Sequence, residues 1–218
     1  MSTSERLHAI YRRLFDRYGP QHWWPADGTF EVIVGAILTQ STAWINVEKA
    51  ISNLKGEGAL SPASLRRMPV EELAGLIRSS GYYNVKVRKL KAFVEHLGAV
   101  HGDSLERMFS SDTDELRAEL LSIYGIGQET ADSIILYAAR KPIFVIDAYT
   151  HRIMARLGLN SNYGNYASLQ SFFMTNLAPD EGMFNEYHAL FVRHGKDYCR
   201  KHPICNGCCL ADMCSFSD

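Results

Sequence analysis

Five cysteines fall between positions 199 and 214, and four of them follow the spacing Cys199-x5-Cys205-x2-Cys208-x5-Cys214. Four thiolates so close in sequence can surround one compact centre. That donor set suits a [4Fe–4S] cubane, and it also suits tetrahedral zinc. Zinc ribbons usually join two separate CxxC pairs, whereas this segment holds one CxxC flanked by single cysteines. Cys209 is left over and reads as a bystander. A disulfide framework would spread its cysteines along the chain, so the clustering points to a reducing compartment.

A second candidate is Leu121-Ser-Ile-Tyr-Gly-Ile-Gly-Gln-Glu-Thr-Ala131. Gly125 and Gly127 permit a tight turn that another backbone can approach closely, with amides beside a helix N-terminus that can hold a phosphate oxygen. Taken alone, the same residues describe a plain helix–helix turn. Asp147 follows the apolar run Ile143-Phe-Val-Ile146. Its carboxylate can stabilise developing positive charge or orient water, and it is equally suited to cap a helix running through Ile153 and Leu157 to Gly158. Basic residues gather at Lys86, Arg88, Lys89 and Lys91, and again at Arg193, Lys196, Arg200 and Lys201. Both groups are candidate phosphate contacts. Trp23, Trp24 and Trp44 offer indole faces that attract cations by ~0.5–2 kcal/mol, or else they fill the core.

The elements that must position these groups are helical almost throughout. Leu7, Ile10, Tyr11, Leu14 and Phe15 repeat with helical spacing, as do Val47, Ala50, Ile51 and Leu54, and Val87, Leu90, Phe93, Val94 and Leu97. Phe30 to Leu38 is apolar on nearly all sides except Glu31, which predicts a helix in the middle of the protein. Ser61-Pro62 predicts the start of a helix that carries Val70, Leu73, Leu76 and Ile77 farther on. Leu169 to Leu177 and Phe184 to Phe191 supply two more. Ile143 to Ile146 is too short to support a sheet and reads as an extended lead into Asp147. The fold class is all-α.

The chain has 218 residues, 46% of them hydrophobic and 22% charged, ample for a packed core and unlike a disordered chain. No apolar run approaches the ~20 residues needed to cross a bilayer, and the N-terminus lacks the apolar region of a secretory signal. With 23 Lys+Arg against 24 Asp+Glu, a polyanion must be met by local basic patches and not by overall charge.

In order, the glycine hairpin, the aspartate about twenty residues later and the terminal cysteine set resemble the endonuclease III superfamily of helix-hairpin-helix DNA glycosylases over nearly the whole chain. The resemblance implies a two-domain fold, with a six-helix domain at residues 28–140, a cluster domain formed by 1–27 and 141–218, and a cleft between them. It favours a [4Fe–4S] cofactor over zinc. Ile37-Leu-Thr-Gln-Ser-Thr42 resembles the segment whose glutamine inserts into DNA, here Gln40, and Gly81-Tyr-Tyr-Asn-Val-Lys86 resembles the loop with a second wedge, here Tyr82. Asp147 takes the catalytic position. Gly125, Gly127, Lys86, Lys196, Arg200 and Lys201 are expected at the DNA backbone.

Departures within the superfamily narrow the reading. Bifunctional members carry a lysine in the second hairpin helix that forms a Schiff base; the matching residue here is Glu129, which cannot form an imine. Tyr149 stands where endonuclease III has histidine. Trp23-Trp24-Pro25, Trp44 and Gly-Gln-Glu-Thr-Ala resemble the 3-methyladenine DNA glycosylase III branch, which implies a base pocket of Trp23, Trp24, Trp44, Glu129 and Tyr149. The first cysteine gap is one residue shorter than in endonuclease III. The expectation is a monomeric, monofunctional glycosylase that removes an alkylated base from double-stranded DNA, cytoplasmic and nucleoid-associated. The alternatives are a bifunctional endonuclease III acting on oxidised pyrimidines, a thymine or uracil mismatch glycosylase, and a non-catalytic, cluster-based redox sensor that binds DNA.

Overall fold

The computed structural model describes residues 1–159 and 164–216. Among these residues there is no strand, and no helix is long and apolar enough to cross a membrane. In chain order the helices are α1 (Thr3–Tyr18), α2 (Thr29–Leu38), α3 (Trp44–Gly56), α4 (Pro62–Arg67), α5 (Val70–Leu76) and α6 (Tyr83–His101). They are followed by α7 (Leu105–Met108), α8 (Thr113–Ser122), α9 (Gln128–Ser133), α10 (Ala148–Arg156), α11 (Tyr166–Asn176) and α12 (Glu181–Asp197). The chain divides into one unit of residues 1–25 with 142–218 and a second of residues 26–141.

The second unit is built around α2. Every residue of α2 from Glu31 to Leu38 is buried, as the all-round apolar sequence requires. Glu31 tolerates burial because its carboxylate accepts from the Asp27 amide at 3.1 Å and pairs with Lys55 at 2.8 Å. The apolar stripes of α3 and α6 are buried as expected from their spacing. The single helix expected after Ser61 is two: α4 ends at Arg67 and α5 begins at Val70. Pro69 is the cause, because it lacks an amide proton and forces the preceding residue out of the helical region; Met68 has ψ 133°. Ser61 does cap α4, accepting from the Ser64 amide at 3.2 Å.

The first unit joins α1, α10, α11 and α12 around an aromatic core. Phe144 stacks on Phe173 with centroids 3.9 Å apart, and Phe184 and Tyr187 meet Phe144 edge-on. Tyr187 is fully buried, yet its hydroxyl donates to the Leu7 carbonyl at 2.9 Å, so this large ring leaves no polar atom unpaired. Phe144 lies in the extended lead, which therefore anchors the residue that follows it, Asp147.

Candidate active site and cysteine centre

Asp147 sits at the N-cap of α10, 8% exposed. One carboxylate oxygen, Oδ1, accepts from the Thr150 amide at 2.7 Å and from the Thr150 hydroxyl at 2.8 Å. The other, Oδ2, faces Nε2 of His188 on α12 at 3.8 Å. Capping and chemistry therefore need not compete, since each role has its own oxygen. Burial pushes the His188 imidazole below its ordinary value, against the pull of Asp147, which favours a neutral ring beside the carboxylate. Thr150 and His188 had no signal in the sequence beyond their helical spacing.

The hairpin lies in the second unit. Gly125 has φ +82°, and a Cβ there would press into the side chain of Lys89 at 2.7–2.8 Å, so conformation and space both demand glycine. Gly127 caps α9 in an extended conformation. Arg117 of α8 braces the turn by gripping the fully buried Asp132 of α9 at 2.7 and 3.2 Å. Gln40 is tied into the same turn: its amide donates to the Gly125 carbonyl at 3.1 Å and to the Thr130 hydroxyl at 2.9 Å, and its oxygen accepts from Lys89. Gln40, Glu129 and Thr130 line one pocket with Ala36, Thr39, Ser41 and Ser133. Tyr82 is 74% exposed at φ +46°, directly after Gly81 at φ +67°. A bulky residue held there carries backbone strain and projects an aromatic ring into solvent.

The expectation that Lys86 meets phosphate is overturned. Its side chain is 2% exposed, and Nζ donates to the carbonyls of Leu38 and Ser80 at 2.8 and 2.6 Å. Burial lowers its pKa to about 8. Lys91 is likewise spent on the carbonyls of Arg66 and Met68, at 2.8 and 2.6 Å. By contrast, Lys196, Arg200 and Lys201 are exposed, with Arg200 Nε donating to the Lys196 carbonyl at 2.7 Å.

Trp23 and Trp24 are half-buried in the first unit, edge-to-face with centroids 5.8 Å apart, so they do not form parallel walls. Trp23 Nε1 is buried without a hydrogen-bond partner. Trp44, in the second unit, is half-buried at the start of α3. The Tyr149 ring lies against Gly195 of α12, where a Cβ would come 2.9 Å from its Cβ and Cγ, and the Arg152 guanidinium sits 5.1 Å from its centroid.

Cys199, Cys205, Cys208 and Cys214 line one pocket with Ile153, Leu157 and Leu210. Two arginines of α10 clasp this segment. Arg152 donates to the Cys199 carbonyl at 2.7 Å and the Gly195 carbonyl at 3.2 Å. Arg156 reaches the carbonyls of Arg200 and Lys201 at 2.7 and 3.0 Å, and the Cys199 sulfur at 3.2 Å. Among the described residues, the ligand atoms of His96, His101 and Glu119 lie within 4.8 Å of one another. Four thiolates lining one pocket suit a [4Fe–4S] cluster and also tetrahedral zinc.

Residues 34–178 match the HhH-GPD superfamily of base excision DNA repair proteins. A candidate DNA repair glycosylase of Methanocaldococcus jannaschii is 45% identical over 212 residues, covering 96% of both chains. Endonuclease III of Thermotoga maritima is 29% identical, covering 96% of this chain and 92% of that protein. The H. pylori 3-methyladenine DNA glycosylase structure with bound 1,N6-ethenoadenine is 27% identical with TM-score 0.77, covering 90% of this chain and 98% of that one. An endonuclease III–DNA complex, 22% identical with TM-score 0.83, covers 99% and 96% and shares the fold. The chain belongs to the HhH-GPD superfamily, a DNA glycosylase of base excision repair.

Proposed function

We propose that this glycosylase is monofunctional and removes a base alkylated on a ring nitrogen from double-stranded DNA. The observation that carries the reading is Glu129, a carboxylate on the pocket it shares with Gln40, at the hairpin position where bifunctional relatives carry a lysine. A carboxylate cannot form an imine, so water is the nucleophile. Tyr82 and Gln40 take the place of the extruded nucleotide, Gln40 first exchanging its hydrogen bonds to the hairpin for contacts with DNA. The C1′–N bond then breaks with its electron pair leaving on the base, which neutralises the base's ring cation. Ionised Asp147 Oδ2 stabilises the oxocarbenium-like sugar and accepts the proton of the water that bonds to C1′, passing it to solvent. A cationic base leaves readily, so no covalent enzyme intermediate is required. The likeness to the 3-methyladenine enzyme supports the alkylated class, and Trp23, Trp24, Trp44 and Tyr149 are the aromatic groups offered to such a base.

The four cysteines would hold a [4Fe–4S] cluster, as four thiolate donors lining one pocket. When bound, the cluster supplies a fixed scaffold for the loop, and exposed Lys196, Arg200 and Lys201 present positive charge to phosphate.

The test is a panel of duplexes with one defined lesion each, incubated with and without alkali and with borohydride. Excision of alkylated purines, strand breakage only after alkali, and no borohydride-trapped complex are expected. Efficient trapping would instead assign a bifunctional enzyme acting through another amine.

A further inference from the structure

Far from the cysteines in sequence, His96 and His101 of α6 and Glu119 of α8 converge on one point. Nε2 of each imidazole lies 2.6 Å from the same oxygen, Oε1 of Glu119. Five residues apart, two side chains on a straight helix point ~140° away from each other. Here they meet because His101 is the last residue of α6 and the chain turns at Gly102, φ +56°. The side chains are only 16–25% exposed, so the polar atoms are largely withdrawn from water while the site stays accessible.

We propose that His96, His101 and Glu119 form a binding site for a divalent transition-metal ion, separate from the cysteine centre. Two imidazoles and one carboxylate are a borderline-hard donor set that zinc and its neighbours accept, with a water completing the tetrahedron. With metal–ligand bonds of ~2.0–2.2 Å, neighbouring ligands stand about 3.3 Å apart, so each nitrogen–oxygen pair, now at 2.6 Å, needs to open by less than an ångström. The two Nε2 protons move to Nδ1 or to solvent, and the freed lone pairs turn to the ion. Its effect is mechanical. His96 and His101 lie at the C-terminal end of α6, and α8 leads into the Gly125–Gly127 turn, so an ion bridging these helices braces the approach to that turn.

Zinc sulfate is the probe, added to the full chain as isolated, with bound zinc counted after gel filtration and its ligand shell read by X-ray absorption. The parent protein is expected to retain one zinc more per chain than His96→Gln/His101→Gln, with only N/O neighbours at ~2.0–2.1 Å. Equal zinc contents, or a shell made of sulfur at ~2.3 Å in the parent, would overturn the site. The absorption measurement on the parent keeps the test decisive if the double variant fails to fold.

Discussion

Arg156 donates a hydrogen bond to the sulfur of Cys199 at 3.2 Å, at the far end of the helix that Asp147 caps. The same residue's carbonyl accepts from the Cys214 thiol at 3.3 Å and the Ser215 amide at 3.0 Å. One nine-residue helix thus carries the candidate catalytic carboxylate at its start and grips both ends of the cysteine segment at its finish. Arg156→Gln keeps a polar side chain but cannot span Cys199, Arg200 and Lys201 together. With the proposed cluster bound, the variant is expected to lose iron several-fold faster under a chelator, followed by bleaching of the visible band. Iron loss at the parental rate would show that the guanidinium is not part of the clasp.

Gly195→Ala places a methyl group into the Tyr149 ring. Overpacking of this kind costs ~1–3 kcal/mol, read as a lowered urea midpoint. Tyr149→Ala in the same chain should recover much of that loss, because the two residues share one contact and their effects are not additive. Additive effects would mean that the ring moves aside freely.

Lys86→Met separates a buried amine from a DNA contact. Two carbonyls lose their donor, so stability should fall by about 1–3 kcal/mol. The salt dependence of DNA binding should not change. Lys201→Met should do the reverse, leaving stability intact and lowering the salt slope by ~1. A reduced slope in the Lys86 variant would contradict its burial.

Stability should also respond to pH through Lys86. Its folded pKa of about 8 lies below its ordinary 10.5, so the unfolded chain binds more protons between those values. Stability is therefore expected to rise as pH climbs from about 8 toward 10.5, and this increment should vanish in Lys86→Met. Thermal melts of the two proteins across that range provide the comparison.

Much of the fold was legible because apolar spacing speaks directly to burial: α2, α3 and α6 bury the residues their periods pick out. The break at Pro69 was missed, because the apolar stripe on either side reads as one continuous helix. Site residues were readable where backbone constraint leaves a mark, as at Gly125, or where donor spacing is distinctive, as in the cysteine set. Lys86 misled because charge in a sequence carries no sign of burial, and two carbonyl acceptors from distant segments decide its fate. The approach of His188 to Asp147 and the meeting of His96 with Glu119 depend on tertiary packing, to which neither periodicity nor motif gives access.

In the proposed mechanism Asp147 acts through a charged Oδ2 while Oδ1 caps α10. Asp147→Asn tests it, because the amide oxygen can still accept from the Thr150 amide and hydroxyl while the charge is gone. Single-turnover excision from a duplex carrying one alkylated purine is the measurement, with the melting temperature taken alongside. The variant is expected to fold with near-parental stability, to bind the lesion duplex at least as well, and to excise ~10²–10³ times more slowly, a loss of ~3–4 kcal/mol of transition-state stabilisation. Excision at the parental rate by the folded variant would contradict the assignment.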